Sequence, residues 1–424
     1  MSVRRRSSLI RPLSDFLSTE AAGGIVVVLA AAVAMVWANS PWSASYETLW
    51  ATDLGAQFGR FGFSMDLRHW INDGLMTVFF FVVGLEIKRE LIEGELRDRR
   101  KAITPVAAAV GGMLLPALIF LAWTAGTPQA KGWGIPMATD IAVAVGLVTL
   151  AGSRISSGAK LFLLALAIVD DLGAIIVIAL FYGKGGRTEF LALAVGAFVV
   201  TVAVRRLGMT SIGLYLALGL VMWFALHEAG VHATIAGVVM GLLAPTKPFL
   251  HRDVIDVDEL SDVSTVEHAV ASVQIARSSI SVVEWLEHRL HTWTSFVIVP
   301  IFAIANAGIP ITVSTLRDAA GARLTWGIAT GLIIGKPLGI LAGTWLVVRV
   351  GAGTLPEGTG WRSLIPTAIV AGVGFTVSLF VTELAFTGSI ADQAKVGVLA
   401  ASVVAGIVAL TVAFLRSDHH RVDR

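Results

Sequence analysis

The chain has 424 residues, of which 55% are apolar and only 15% charged, with a mean hydropathy of +0.78 and a formal net charge of +2. A soluble domain carries about a quarter of its residues as charges, so a water-soluble globular protein is excluded, and the near balance of charge gives no footprint for nucleic acid. Cysteine is absent, which removes disulfides, thiolate metal sites and cysteine nucleophiles.

Apolar runs long enough to cross a hydrocarbon core of roughly 30 Å recur along the chain. They predict an all-α polytopic membrane protein with twelve transmembrane helices, over 17–38, 67–87, 102–123, 134–150, 157–182, 189–204, 210–227, 232–244, 294–313, 325–348, 363–385 and 391–414. The first run follows Arg4, Arg5, Arg6 and Arg11 but ends in no small-residue cleavage site, so it reads as a retained helix rather than a signal peptide. Residues 1–16 and 415–424 read as tails, and 17–414 as one membrane domain. With this count 23 of the 32 Lys and Arg residues fall on one side and seven on the other. Lys and Arg accumulate on the cytoplasmic side, so both termini are predicted to be cytoplasmic. Residues 39–66 then form an external connection with room for a short hairpin. Residues 246–293 form the longest cytoplasmic one, polar and acidic at HRDVIDVDELSD and amphipathic at SVVEWLEHRLHTW.

An ionisable residue at the centre of a membrane helix costs roughly 2.5–3.5 kcal/mol on insertion scales, so intramembrane charges mark function. The fifth run, LFLLALAIVDDLGAIIVIALFY, holds Asp170 and Asp171 near its middle. Adjacent helical residues point about 100° apart, so the two carboxylates share a region while keeping different partners. Carboxylate oxygens are hard ligands suited to Na+, Li+ or a proton, and two close carboxylates titrate as a coupled unit. Competition of cation and proton for that unit, with alternating access, yields exchange. In the fourth run, WGIPMATDIAVAVGL, Pro136 interrupts the hydrogen-bond ladder just before Thr139 and Asp140. Such breaks suit ion sites. Asp140 reads as an ion ligand, as compensation for a positive helix terminus, or as a plain N-cap; Thr139 reads as a further oxygen ligand or as a partner of the backbone. In the tenth run Lys336, followed by Pro337, is flanked by long apolar stretches and needs a carboxylate, with Asp170 the natural candidate; an interfacial lysine is the plainer reading. In the eleventh, Gly372 and Gly374 precede Phe375, Thr376 and Ser378 and suggest a second broken helix. The units 102–182 and 325–414 are then candidate inverted repeats that cross at their breaks.

Charges also gather at helix ends. Asp73 lies at the external start of the second run. Glu86 and Glu90, four apart on one helix face, lie at its cytoplasmic end beside Lys88 and Arg89. They suit a cation funnel and pH response, or simple surface ion pairs. Glu287, His288 and His291 form a second cytoplasmic cluster in which Glu287 and His288 suit joint titration near neutral pH. His232 in AGVHATIAG reads as structural or as a gating residue. None of the histidines has metal-site spacing.

The strings WINDGLMTVFFFVVGLEIKREL, IPMATDIAVAVGL, LFLLALAIVDDLGAIIVIALFY, GVHATIAG, FAIANAGI, IGKPLGI and AGVGFTVSLF, in this order over about residues 12–413, resemble bacterial NhaA-type Na+/H+ antiporters. The resemblance implies an inverted-repeat core with two crossed discontinuous helices, in a multi-pass protein of the bacterial cytoplasmic (inner) membrane. It implies electrogenic export of cytoplasmic Na+ or Li+ against entering H+, serving sodium and pH homeostasis, with no resident cofactor. Asp171 corresponds to the family's ion-binding aspartate, Asp170 to its neighbour linked with Lys336, and Thr139 and Asp140 to the broken-helix pair. Glu86, Glu90, Glu287 and His288 match pH-response positions, and His232 the HAT histidine. A homodimer in membrane lipid is expected, with 39–66 contributing to the contact, and no nucleic acid or organic cofactor as partner. Two departures stand outside the core: a longer, more acidic segment over about 249–283, and Glu383, an added charge read as reaching the outer surface.

A Na+-coupled organic-anion symporter of similar fold is the alternative, but it needs a basic substrate site beyond Lys336. A channel needs a repeated polar filter, and an enzyme a separated acid/base pair or a metal cluster; neither pattern is present in the sequence.

Overall fold

Helices dominate the protein because a bilayer leaves backbone amides no partner outside their own segment. The computed structural model describes residues 3–58, 61–183, 185–209, 211–245, 282–356 and 358–418. In chain order they form α1 (Val3–Ala38), α2 (Ser43–Trp50), strands β1 (Asp53–Phe58) and β2 (Phe61–Asp66), then α3 (Met76–Ile92), α4 (Arg99–Thr124), α5 (Ile141–Ala151), α6 (Ser157–Phe181), α7 (Thr188–Arg206), α8 (Ile212–Glu228) and α9 (Thr234–Leu243). After them come α10 (Val282–Trp293), α11 (Val299–Asn306), α12 (Val313–Gly321), α13 (Arg323–Thr330), α14 (Lys336–Val350), α15 (Trp361–Val370), α16 (Phe375–Ala385) and α17 (Gly388–Asp418). The expected acidic connection is described only from residue 282 on. Its amphipathic end is the helix α10, as its sequence pattern predicts.

Among the described residues six helices are long and apolar enough to cross a membrane, and up to eight if each of two bent pairs is one crossing. The expected twelve is not reached on length and apolarity, because α3 has only 17 residues, α8 and α9 are no longer, and α11 has only eight. The ninth predicted run, 294–313, stops being helical at Asn306, with Gly308 and Pro310 just beyond; proline lacks the N–H that a helix needs. The segment expected as an N-terminal tail is helical from Val3 and continuous with the first span. The external connection does contain a hairpin, antiparallel from Asp53↔Asp66 to Phe58↔Phe61.

The two breaks expected in the chain are present. A tight ten-residue coil, Pro128–Met137, leads to α5 across extended residues, with a bend of 43°. It starts earlier than the predicted 134 because Pro128 opens it. The pair α15 and α16 bends by 42° across 371–374.

The chain divides into two compact units. One comprises Met1–Met76, Glu93–Gly183 and Ser295–Arg424; the other Thr77–Ile92 and Lys184–Thr294. The first has a buried core in which Ala109, Ala144, Phe162, Leu166, Ile340 and Leu364 meet from α4, α5, α6, α14 and α15. In the second, Ala194 and Ala197 of α7 pack with Met222 and Ala225 of α8 and with Ala236 and Met240 of α9. Leu216, Leu220 and Ile407 are exposed, as lipid-facing side chains are.

One packing contact bears directly on the site. In the first unit α4 and α14 touch through glycine: a Cβ added at Gly339 would collide with the backbone carbonyl of Gly111, and one at Gly111 with that of Gly339. Small residues let membrane helices approach this closely, and Gly339 lies three residues beyond Lys336. Gly339→Ala is expected to destabilise the protein by about 1–3 kcal/mol through overpacking, read as a lower unfolding temperature in detergent. An unchanged unfolding temperature would show that the two helices can separate freely.

Candidate functional site

The two helix breaks of the first unit meet. Backbone N–H of Asp140 donates to the carbonyl of Val373 (2.7 Å), and Ser378 Oγ donates to the carbonyl of Ile135 (2.7 Å). Both breaks free backbone groups that a continuous helix would satisfy internally, and each break supplies partners for the other. Asp140 serves two helix starts at once. Its Oδ1 accepts from the N–H of Val143 (3.0 Å) and so caps α5, while its Oδ2 accepts from the N–H (2.9 Å) and hydroxyl (2.7 Å) of Thr376 in the first turn of α16. A carboxylate is favoured where positive helix termini converge. Of the readings open for Asp140, capping and terminus compensation are thus both realised.

The Asp pair lies midway along α6, with Asp170 and Asp171 almost wholly buried. Asp170 Oδ2 lies 2.6 Å from Lys336 Nζ and 2.8 Å from Thr139 Oγ1. Lys336 is fully buried and also donates to the backbone carbonyl of Met137, on the near side of the first break. Thr139 Oγ1 lies 3.0 Å from the carbonyl of Ala371 as well, so its one hydroxyl hydrogen is shared between the Asp pair and the second break. Lys336 opens α14 directly after a widened turn, Gly331–Gly335. Pro337 cannot donate a backbone hydrogen bond, and a π-type turn is a common way to absorb that loss. Five side chains singled out in the sequence, Thr139, Asp140, Asp170, Asp171 and Lys336, therefore belong to one unit. Thr139, Asp170 and Lys336 are joined by hydrogen bonds, Asp140 next to Thr139 bonds the starts of α5 and α16, and Asp171 adjoins Asp170 on α6. Among the described residues no group of three or more His, Cys, Asp or Glu side chains is arranged to hold a metal ion.

The helix-end residues are distributed differently. Asp73 is half-buried in a widened turn, Trp70–Leu75, in the first unit. The second unit carries Glu86 (buried) and Glu90 (half-buried) on α3, His232 (half-buried) before α9, and Glu287 and His288 on α10. Lys88 is not a surface partner of these acids. It is buried, and its Nζ donates to the carbonyls of Leu242 (2.8 Å) and Ala244, satisfying the C-terminal end of α9. Glu287 and His288, expected to titrate together, point apart. His288 is exposed, whereas Glu287 is buried with its carboxylate 2.5 Å from Arg89 Nη1. The apolar face of α10 explains this: Val283 and Leu286 pack on Leu85 and Phe81 of α3, and Glu287 follows on that face.

Burial pushes the Glu287 carboxyl above its ordinary value, against the pull of Arg89 and His291. The folded state then holds this proton more tightly than the unfolded state. Its contribution to stability is therefore lost as pH rises from the ordinary carboxylate range through the raised value. The protection of Val282–Trp293 against hydrogen exchange, relative to unstructured peptide at the same pH, is expected to fall across that window and to become independent of pH there in Glu287→Gln. Identical profiles in the two proteins would remove Glu287 as the titrating group.

Sequence reasoning missed three contacts. Asn72 and Asn306 form a buried reciprocal amide pair (2.8 and 3.3 Å) in the first unit. Tyr46 of α2 donates to the carbonyl of Ile304 (2.8 Å) and accepts from the N–H of Gly308 (3.2 Å), and burial pushes its hydroxyl up to about 12. Glu383, read in the sequence as reaching the outer surface, is 17% exposed and paired with Lys395, a partner the sequence did not show. The only advance signal for the last pair was that two unexplained charges sat within apolar runs.

Comparison with known proteins identifies the family. A family model described as Na+/H+ antiporter 1 matches residues 14–413. The chain is 44% identical to "Na(+)/H(+) antiporter NhaA 2" of Syntrophotalea carbinolica, over 96% of this chain and 97% of that protein. It is 46% identical to "Na(+)/H(+) antiporter NhaA 2" of Myxococcus xanthus, over 95% and 88%. It is 44% identical to "Na(+)/H(+) antiporter NhaA" of Rhodopirellula baltica, over 95% and 93%. In fold it resembles the sodium proton antiporter MjNhaP1 from Methanocaldococcus jannaschii, with a TM-score of 0.52 at 12% identity, covering 96% of this chain and 98% of that one. A polytopic chain with two helix breaks joined around buried aspartates, and a family match over nearly its whole length, belongs to the Na+/H+ antiporter family of the NhaA type.

Proposed function

We propose that the protein is a secondary transporter, not an enzyme, that exports cytoplasmic Na+ or Li+ across the bacterial inner membrane in exchange for entering protons. The single observation that carries this reading is a buried Asp170–Asp171 pair beside two joined helix breaks, with Lys336 on Asp170. In the ionised state Asp171 offers a hard anionic ligand to a small cation. Protonation cancels that charge and releases the cation. Two ligands that compete for one site are coupled without further machinery, and their coupling is reciprocal. Asp170 is held by Lys336 and Thr139, and the ion is assigned to Asp171 because it matches the ion-binding aspartate of the family's Asp–Asp motif. Thr139 and the freed backbone carbonyls supply uncharged oxygens, and Asp140 holds the two half-helices around the site. Movement of more protons than sodium ions per cycle makes the exchange electrogenic.

In this reading the helices make twelve crossings, the shorter α3, α8, α9 and α11 included, and the two broken helices belong to inverted repeats. The whole of 17–414 is one transport domain with both termini cytoplasmic. The excess of Lys and Arg on one side of the predicted topology supports that orientation. Glu86, Glu90, Glu287, His288, His232 and Asp73 line entrances or shape the pH response. The protein is a homodimer to which the 39–66 segment contributes, and deletion of 53–66 is expected to shift its mass in detergent from dimer to monomer.

The test is reconstitution of purified protein in vesicles with an acidic lumen, followed by external Na+. Lumenal alkalinisation matched by uptake of radioactive sodium is expected. No sodium-dependent proton movement from neutral to alkaline pH, in folded and inserted protein, would overturn the reading.

A further inference from the structure

Glu383 and Lys395 stand outside the ion site, yet both are largely removed from solvent. Lys395 Nζ lies 2.5 Å from a carboxylate oxygen of Glu383, with the side chains 6% and 17% exposed. Glu383 is near the end of α16 and Lys395 near the start of α17, joined by a short turn at Gly388 with φ +61°. Asp392 lies three residues before Lys395 on α17, and the charges of Lys395, Glu383, Glu47 and Arg68 all act on it; Arg68 lies 3.4 Å from Glu47 of α2. A buried ion pair stabilises little, because desolvation of two charges offsets their attraction. What it supplies is orientation.

That orientation matters because of what lies at the other end of the same helix. Thr376 binds Asp140 through both its N–H and its hydroxyl. Residues seven apart on an α-helix differ by only about 20° around the axis and lie about 10.5 Å apart along it. Glu383 is seven residues after Thr376. The turn at Gly388 already tethers the end of α16, but a tether does not set rotation about the helix axis. The Ser378 bond to the Ile135 carbonyl constrains that rotation near the start of α16; a charge paired with a buried lysine constrains it near the end, and a constraint on the azimuth of Glu383 is one on Thr376 too.

We propose that the Glu383–Lys395 pair is a positioning device for transport: it fixes the rotation of α16 and so holds Thr376 on Asp140 at the meeting of the two helix breaks. The pair neither binds the ion nor carries the proton. This inference rests on the antiporter reading of the Asp170–Asp171 site.

The experiment compares wild type, Glu383→Gln, Lys395→Met, the exchanged pair (Glu383→Lys with Lys395→Glu), Thr376→Val, and Glu383→Gln combined with Thr376→Val. Each is purified, checked for folding by size exclusion and thermal unfolding, and reconstituted for Na+-driven proton exchange. Na+ binding is read in parallel by calorimetry. Glu383→Gln is expected to raise the apparent KM and Kd for Na+ about tenfold, the size of a coupling between residues in one network, with a smaller change in maximal rate. The exchanged pair should restore both constants. Adding Glu383→Gln to Thr376→Val should weaken Na+ no further, because both changes break the same link. Unchanged constants in folded Glu383→Gln, or effects that multiply in the double variant, overturn the proposal. If Glu383→Gln does not fold, the exchanged pair decides: wild-type constants support the proposal and tenfold weaker ones overturn it. Wild type that moves no protons in response to Na+ overturns the antiporter reading instead, and the binding measurements still judge the role of α16.

Discussion

Asp171→Asn is expected to abolish Na+-driven proton exchange while leaving the protein folded. Asparagine keeps the shape and one carbonyl oxygen of aspartate but carries neither the charge that attracts a cation nor the site that takes a proton. Both substrates are lost together. An interaction with a charged group contributes about 1.5–3 kcal/mol even after exchange with water, so cation affinity should fall by about 10- to 100-fold. Stability should hold or rise, because a buried charge has been removed from a site that is only 2% exposed. Reconstituted transport and calorimetric Na+ binding, measured beside thermal unfolding, separate these effects. A variant that still exchanges Na+ for H+ would place the ion elsewhere and end the assignment of Asp171.

Lys336→Met is expected to destabilise the protein by about 3–5 kcal/mol, the usual result of removing one partner of a buried ion pair. Lys336 and Asp170 are 0% and 1% exposed, and Asp170 would keep Thr139 but lose its cationic partner. Lys336 Nζ also satisfies the Met137 carbonyl beside the first break, which would be left bare. Most of the loss should come from the stranded carboxylate, so Lys336→Met combined with Asp170→Asn should recover much of the stability. If the double variant is as unstable as the single one, the Met137 carbonyl rather than the ion pair is what the lysine serves. The same pair of proteins tests what Lys336 does in transport. A membrane-potential dye reports whether exchange still moves net charge. Loss of that charge movement with retained exchange identifies Lys336 as a proton carrier, and retained charge movement leaves it the role of holding Asp170.

The breaks and the Asp pair were readable because each follows from a local rule. Pro136 removes a donor, Gly372 and Gly374 weaken a helix, and a doublet of carboxylates in an apolar run has no inexpensive structural explanation. Lys336 demanded a carboxylate for the same reason, and Asp170 is the one it meets. Charges near helix ends were harder. Glu287 and His288 are neighbours in sequence and looked like one titrating unit, but the apolar stripe of α10 turns the first inward to Arg89 and the second outward. Lys88 looked like a surface cation and instead closes the end of α9.

What the sequence determined by itself is the membrane-spanning helical class, the two discontinuities, and the burial of Asp140, Asp170, Asp171 and Lys336. These are consequences of transfer free energy and backbone hydrogen bonding, which act within a single segment. Only the tertiary structure decided which groups meet. Asp140 with Thr376, Asn72 with Asn306, Tyr46 with Gly308, and Glu383 with Lys395 are pairs whose geometry depends on how helices rotate and cross. The sequence states which groups need a partner when taken out of water. Which partner satisfies that need is set by helix rotation and close approach, and these are settled by packing across segments far apart in the chain.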